Sequence, residues 1–376
     1  MTSGFFAGLD ERALFEAGDV YRIAYDEERA ARGIVRIAIL GAGGVAQAKY
    51  MPAIARLQSR WEPIEVVALS TLDDRQAEKL SRAWSVPVYR DSEKLMREHA
   101  PDAVLITSSD DAHCELALAA LKAGAHVLVE KPIARNLTEA DAMCRAAEAA
   151  DLTLLTVCNK RYSPPYAEAS ALIGSSTLGE PSLFSAKLVL GYGYVDLLES
   201  ATVHVFDLAR FFMGDLRRIG AIAPATAPDE RLARHPRSVV VTVEFESGAV
   251  GTILSSTNAL SLHPWERVEI FGERAWLCVE DQSTLTLHAD EYEPARSWAP
   301  VVPNTLVSAE EWGGYIGMLE DFLAAVRGTR SLSPHSRDGL RALELVVATR
   351  LSLAQGVPVE LPLEAADARN EEAARP

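Results

Sequence analysis

Apolar and polar positions change rhythm along this chain. From Ile34 to Cys158, short and almost wholly apolar runs alternate with stretches of helical spacing. IVRIAIL (34–40), IEVVALS (64–70), DAVLITSS (102–109), HVLVEKP (126–132) and LTLLTVC (152–158) predict strands, with a shorter one at Val88 and Tyr89. Residues 44–58, 74–84, 92–99, 114–124 and 139–150 predict the helices between them, the first interrupted by Pro52. Strands apolar on both faces and separated by helices belong to a parallel sheet covered on both sides.

Beyond Cys158 the texture differs. Residues 182–191, 238–257, 267–281 and 284–290 read as strands following closely on one another, with turn signals at 246–248 and 272–274. That pattern marks an antiparallel sheet. Helices are expected only at 197–213, about 310–327 and 337–355. The fold class is therefore α/β: a doubly wound parallel sheet over 34–157, then an α+β domain with a large, mostly antiparallel sheet over 158–363. Residues 1–33 are expected to form an arm, with a helical turn or two at 11–17 and a short strand at 20–25, and 364–376 a charged tail expected to be disordered.

Composition narrows the function. A formal charge of −16 disfavours nucleic acid and anionic membrane surfaces, which call for a basic stripe. It leaves room for a phosphate-bearing cofactor held by backbone N–H groups. No apolar run reaches membrane-spanning length, and no basic-then-apolar leader opens the chain. Four scattered cysteines fit neither a zinc ribbon nor a disulfide frame, so a reducing, cytoplasmic setting is expected. No metal cluster is apparent.

Gly41, Gly43 and Ala46 form G-x-G-x-x-A between the first strand and the first helix. The first glycine permits the tight turn, the second lets backbone approach a pyrophosphate, and the small third residue lets helix pack on strand. With Gly44 and Val45, this turn is the expected dinucleotide site. The second strand ends in Ser70 and Thr71, where an acid for the ribose 2′-hydroxyl of NAD is usual. The hydroxyls, with Arg75 nearby, favour NADP; Asp73 reaching back to the ribose would favour NAD. Ser108 and Ser109 end a third strand at the same edge of the sheet.

A further strand ends Glu130-Lys131-Pro132, which places a lysine at the carboxyl edge, where ligands of doubly wound sheets sit. Together with ILGAGGVA, the block DDAHCELALAALKAGAHVLVEKPIA, CNKRYSP (158–164), LGEP (178–181), His204 with Asp207, VEIFGERA (268–275) and the closing RDGLRALELVVATRLSLAQG, this strand end makes the chain resemble the glucose–fructose oxidoreductase / inositol dehydrogenase / rhizopine-catabolism (Gfo/Idh/MocA) family from Ile34 to about Leu363. The resemblance implies an NAD(P)-dependent oxidoreductase acting on sugars, cyclitols or other polyols. It implies a homodimer or homotetramer built through the second domain's sheet, Lys131 as a catalytic lysine, and a cis Lys131–Pro132 peptide. Asn159 (cofactor side) and Arg161 (substrate side) match the family's substrate-side segment. Glu130 belongs to the cofactor side, and His113 has a structural or cofactor-side role, capping the helix after the SSDD turn.

Residues 197–212 read LLESATVHVFDLARFF, an apolar helix carrying His204. A histidine titrates near neutrality, so it suits the proton transfer that accompanies hydride transfer. His204 is the expected general acid/base, and Lys131 the group that orients the substrate oxygen. The family pattern places Asp four residues before this histidine; here Ser200 stands there, and Glu199 lies about 100° around the helix. Ser200 is expected to face the substrate. Asp196 is a substitute carboxylate if the helix begins after it. Ser109 likewise replaces a common proline. Tyr192 and Tyr194 precede the helix and are candidates to line a sugar site. Two other functions fit the same motifs: redox-assisted glycoside cleavage or elimination with retained NAD, and non-catalytic binding of NAD(P) and sugar by a regulator.

Overall fold

The computed structural model describes residues 33–60, 62–191, 193, 195–224, 235–261, 263–289, 294–299, 313–329 and 335–364. The arm up to Arg32, the tail from Ala365 on, Tyr192 and Tyr194 lie outside the described residues.

The first domain is built on β1 (Val35–Leu40), β2 (Ile64–Ser70), β3 (Val88–Tyr89), β4 (Ala103–Ile106), β5 (His126–Val129) and β6 (Leu154–Thr156). They form a six-stranded parallel sheet in the order β3-β2-β1-β4-β5-β6. Ile37, Ile39, Leu40, Leu105 and Val127 have no exposed surface, as strands covered on both faces require. Each such side chain contributes about 1.5–3 kcal/mol on burial. The strand order reverses between β1 and β4, and that switch point opens a crevice at the carboxyl ends.

The helix after β1 begins at Gly44, passes through a π-helical turn, Ala46–Tyr50, and continues as α1 (Met51–Ser59). Pro52 explains the irregularity. It donates no N–H and its ring crowds the carbonyl four residues back, so the preceding turn widens instead of the helix breaking.

The second domain carries β7 (Pro181–Val189), β8 (Leu216–Ile222), β9 (Ser238–Phe245), β10 (Val250–Ser256), β11 (Glu266–Gly272), β12 (Trp276–Glu280), β13 (Thr284–His288), β14 (Arg296–Trp298) and β15 (Val359–Glu360). These make one nine-stranded sheet in the order β14-β13-β12-β11-β7-β10-β9-β8-β15. Neighbours run antiparallel except β7 and β10, which pair in parallel. The helices that matter for the site are α2 (Val203–Met213), α3 (Tyr315–Val326) and α4 (Asp338–Gln355). One face of the sheet, including Phe184, Val241, Val243 and Ile253, packs with α2 and α4.

The helix expected near 310–327 is α3, and it crosses the sequence boundary between the domains. Its Ile316, Met318, Leu319, Phe322 and Leu323 complete the core of the first domain, against Ile37, Ile39, Tyr50 and Ile54. Among the described residues no helix is long and apolar enough to cross a membrane.

Candidate active site

The glycine turn lies at the switch point. Gly41 has φ +88°, and a Cβ there would meet the Ser108 backbone at 2.5 Å, so glycine is required by both conformation and space. A Cβ on Gly44 would meet nothing within 4 Å, and one on Gly43 only the Gly41 carbonyl oxygen at 3.9 Å. The backbone thus faces open space at a helix N-terminus, where the first N–H groups have no partner inside the helix. That cradle fits the pyrophosphate of a dinucleotide. Ser70 takes the Gly41 N–H on its carbonyl (3.1 Å) and on its hydroxyl (3.2 Å), and so braces the turn from below. Thr71 is buried, and its hydroxyl accepts the Asp73 N–H at 3.2 Å, leaving its own proton to donate. Asp73 caps the next helix by accepting the N–H groups of Arg75 and Gln76 (2.9 and 3.2 Å). Arg75 is exposed at the start of that helix.

Lys131 follows β5 at the same edge, and its peptide bond to Pro132 is cis. Lys131, Pro132, Cys158, His204 and Asp207 line one small cavity, so the two residues expected to carry the chemistry meet although 73 positions separate them. The Lys131 ammonium donates to the Ser200 carbonyl at 3.3 Å. Of its three donors, the others stay available. His204 retains some solvent access, but its ring is enclosed. Burial, then the charges of Lys131 and Lys160, hold its pKa well below the ordinary value. A neutral imidazole, the form that accepts a proton, therefore stands beside an ammonium with donors to spare.

The His204 helix begins at Leu197 because the Asp196 carboxylate caps it, accepting the N–H groups of Leu198 and Glu199 (3.0 and 2.8 Å). A π-helical turn, Leu198–Thr202, then precedes α2. Ser200 sits in that turn and meets Lys131 through its backbone. Neither carboxylate near the family's aspartate position replaces it. Asp196 is taken up by the cap and by His235 (2.7 Å), and Glu199 accepts from Arg350 at 2.8 Å.

Three expected site residues are turned elsewhere. Glu130 is expected on the cofactor side, but its carboxylate is buried and accepts the Tyr50 hydroxyl (2.8 Å) and the Lys131 N–H (3.1 Å). His113 is also buried, its ring nitrogens against the carbonyls of Pro132 (2.9 Å) and Ser108 (3.2 Å), so it takes the structural one of its two expected roles and ties two loops of the crevice together, without capping the helix. Arg161 is expected to meet substrate, but its guanidinium forks onto Asp207 and reaches Asp338 at 2.6 Å. Its donors are consumed in a buried ion network that continues through Arg210 to Asp215. Asn159 donates to the Gly313 carbonyl (2.7 Å), while its own side-chain oxygen is buried without a protein partner. That open acceptor fits a ligand group.

Sequence reasoning passed over Tyr50, Lys160 and Glu266. Lys160 stands between the two residues chosen from CNKRYSP, so the motif itself carried the signal. Tyr50 and Glu266 acquire their roles only through distant partners. Burial pushes the Cys158 thiol up, and Asp207 adds to this, so Cys158 is an unreactive filler of the cavity wall. Among the described residues no group of three or more His, Cys, Asp or Glu is placed to hold a metal ion.

A glycine cradle at the switch point, with a lysine and a neutral histidine at the adjacent strand end, defines a two-domain dinucleotide-dependent oxidoreductase. The oxidoreductase family's NAD-binding Rossmann fold matches residues 35–157, and its C-terminal alpha/beta domain matches residues 197–361. The chain belongs to this Gfo/Idh/MocA family. It is 27% identical over 301 residues to a myo-inositol 2-dehydrogenase of Thermotoga maritima, covering 77% of this chain and 88% of that protein. It is 26% identical over 319 residues to a D-apiose dehydrogenase of Paraburkholderia graminis, covering 79% and 83%. A levoglucosan dehydrogenase solved in complex with NADH shares the fold at TM-score 0.79, with 20% identity over 88% of this chain and 100% of that one.

Proposed function

We propose that the protein transfers a hydride between NAD(P) and a secondary hydroxyl or keto group of a sugar, sugar derivative or cyclitol. The observation that carries this reading is Lys131, at the carboxyl edge of the dinucleotide domain, donating at 3.3 Å to the Ser200 carbonyl in the turn that leads into the His204 helix. When bound, the nicotinamide supplies the hydride acceptor. In oxidation, His204 takes the hydroxyl proton, and the Lys131 ammonium orients the oxygen and stabilises its developing charge. Reduction reverses both roles. Asn159 offers its open acceptor, and the Ser200 region lines the substrate side. The substrate class rests on relatives whose names include inositol, apiose and levoglucosan dehydrogenases.

Within that reading the preferred cofactor is NADP. Ser70 and Thr71 stand where an acid would select NAD, one oxygen of the Asp73 carboxylate is engaged as a helix cap, and Arg75 is exposed beside it. The four free thiols suit a reducing cytoplasm, and the open face of the second sheet suits a homo-oligomer.

The test is incubation with NAD and NADP against a panel of inositols, aldoses and their lactones, followed by nicotinamide absorbance. Net cofactor reduction by at least one polyol is expected; turnover without net reduction overturns the assignment. Titration showing NAD bound tenfold more tightly than NADP, about 1.4 kcal/mol, rejects the cofactor preference.

A further inference from the structure

The Lys131 ammonium reaches from the first domain into the second to meet one backbone atom, the Ser200 carbonyl oxygen, at 3.3 Å. Ser200 stands where the family pattern has a carboxylate, so a backbone dipole takes the place of a side-chain charge. The π-helical turn, Leu198–Thr202, sets where that carbonyl lies. Such a turn takes one residue more than an α-helical one and is rare. It decides which carbonyl of the segment reaches Lys131, because one residue is worth about 100° of rotation. A carbonyl has two lone pairs, so it can serve the helix and a lysine together.

Three contacts hold the turn in this form. At its start the Asp196 carboxylate caps the segment. Within it the Thr202 hydroxyl, which has no exposed surface, donates to the Leu197 carbonyl at 2.9 Å. From α4, Arg350 donates to the Glu199 carboxylate at 2.8 Å and lies 3.8 Å from that of Asp196. The Arg350 side chain is 8% exposed, and those of Glu199 and Asp196 are 20% and 18% exposed. Ion pairs so enclosed are screened little by solvent. Arg350 therefore ties both acidic residues of the segment to the body of the second domain, and one of them is the neighbour of Ser200.

We infer that Arg350 is a positioning residue for Lys131: by pinning Glu199 it holds the π-helical turn in the form that presents the Ser200 carbonyl to the ammonium. The inference rests on the reading of Lys131 as the group that orients the substrate oxygen. The links run from Arg350 to Glu199, along the chain to Ser200, and from Ser200 to Lys131, each a hydrogen bond or a covalent connection. With one donor tethered, the other two donors of the ammonium are aimed and available to a substrate oxygen. Without Arg350 the turn relaxes toward α-helical geometry, and the carbonyl swings away from Lys131.

The test is competitive acylation of the full-length protein with trace acetic anhydride, without substrate, followed lysine by lysine by mass spectrometry. An ammonium held on a carbonyl is shielded from the reagent until that bond opens. In Arg350→Met the Lys131 rate should rise about fivefold, the factor that one ordinary hydrogen bond is worth. Glu199→Ala removes the other half of the pin. It should give the same rise, and it stands in for Arg350→Met if that variant does not fold. Arg350→Lys, which keeps a charge and donors for Glu199, should stay within about twofold of wild type. Lys160, whose ammonium is buried against the Glu266 carboxylate, is the control. General loosening of the fold would expose it, so its rate should not move. An unmoved Lys131 in Arg350→Met and Glu199→Ala, a rise shared by Lys160, or an equal rise in Arg350→Lys overturns the inference. Because the labelling needs no turnover, its failure is separate from that of the hydride-transfer reading, which falls if no polyol of the panel reduces the cofactor.

Discussion

His204 is held neutral by burial and by two nearby ammonium groups, and both activity and stability should register this. Folding lowers its pKa from about 6.5. Below that pH the unfolded chain binds more protons than the folded one, so stability falls as pH drops towards the folded pKa and is full above about 6.5. In urea melts at pH 5 and pH 7.5, His204→Gln should lose less stability on acidification than wild type; an equal loss would contradict a depressed pKa. The acid limb of kcat/KM should lie below 6.5 for the same reason. His204→Ala should reduce kcat by at least 10²-fold, the low end of general acid–base contributions, while nicotinamide binding by fluorescence stays within about twofold. Arg161 is the contrasting case. Its substitution by Met leaves Asp207 buried without its forked partner, which should cost about 3–5 kcal/mol in denaturant unfolding. A substrate-binding arginine would raise KM with stability unchanged.

Both π-helical turns fall where an element enters the site: Ala46–Tyr50 behind the glycine turn and Leu198–Thr202 ahead of His204. The first presents Tyr50 to Glu130, which links the phosphate end of the crevice to the lysine end. The Tyr50 ring also packs edge-on against Tyr315 of α3, 5.5 Å between centroids. In Tyr50→Phe the buried Glu130 carboxylate loses a donor, so stability should fall by about 1–3 kcal/mol in thermal unfolding. No change would mean the hydroxyl bond is dispensable. The parallel sheet, the glycine turn and the apolar helix around His204 were legible in the sequence because each rests on local periodicity or on a backbone need met by one residue type. Pro52 announced an irregularity without saying that the turn would widen. The partners of Glu130, Arg161 and Lys160 were illegible for a physical reason. Buried charges find compensation across 80, 46 and 106 positions, and such pairing leaves no local pattern. A charged residue in a family motif therefore reads as a ligand-binding group when it is a tie in the interior.

On the scale of the whole molecule, the second sheet has one face against α2 and α4 and another facing away from them. On the outer face Leu183, Val240, Val250 and Leu254 are 40%, 40%, 48% and 44% exposed. Register puts Leu183 beside Val250, and Val240 beside Leu254, so this face of β7, β10 and β9 carries two apolar pairs, with Ser185, Thr252 and Thr242 between them. A chain of net charge −16 repels its own copies in general. This face offsets that locally, because Arg218 pairs with Glu244, and Arg267 with Glu269 and Glu280. Apolar pairs beside balanced charges suit a self-complementary two-fold contact, in which each patch meets its own copy. A stable contact of that kind covers about 800 Å² per partner. Sedimentation at micromolar concentration should therefore give a dimer or larger for the wild type. The double variant Val240→Glu/Leu254→Glu should sediment as a monomer, since it sets like charges against each other in the only arrangement the symmetry allows. Turnover per site should change little, because Lys131 and His204 lie on the opposite side of the sheet's helical layer. A monomeric wild type, or a double variant that still associates, would move the oligomer interface elsewhere or remove it.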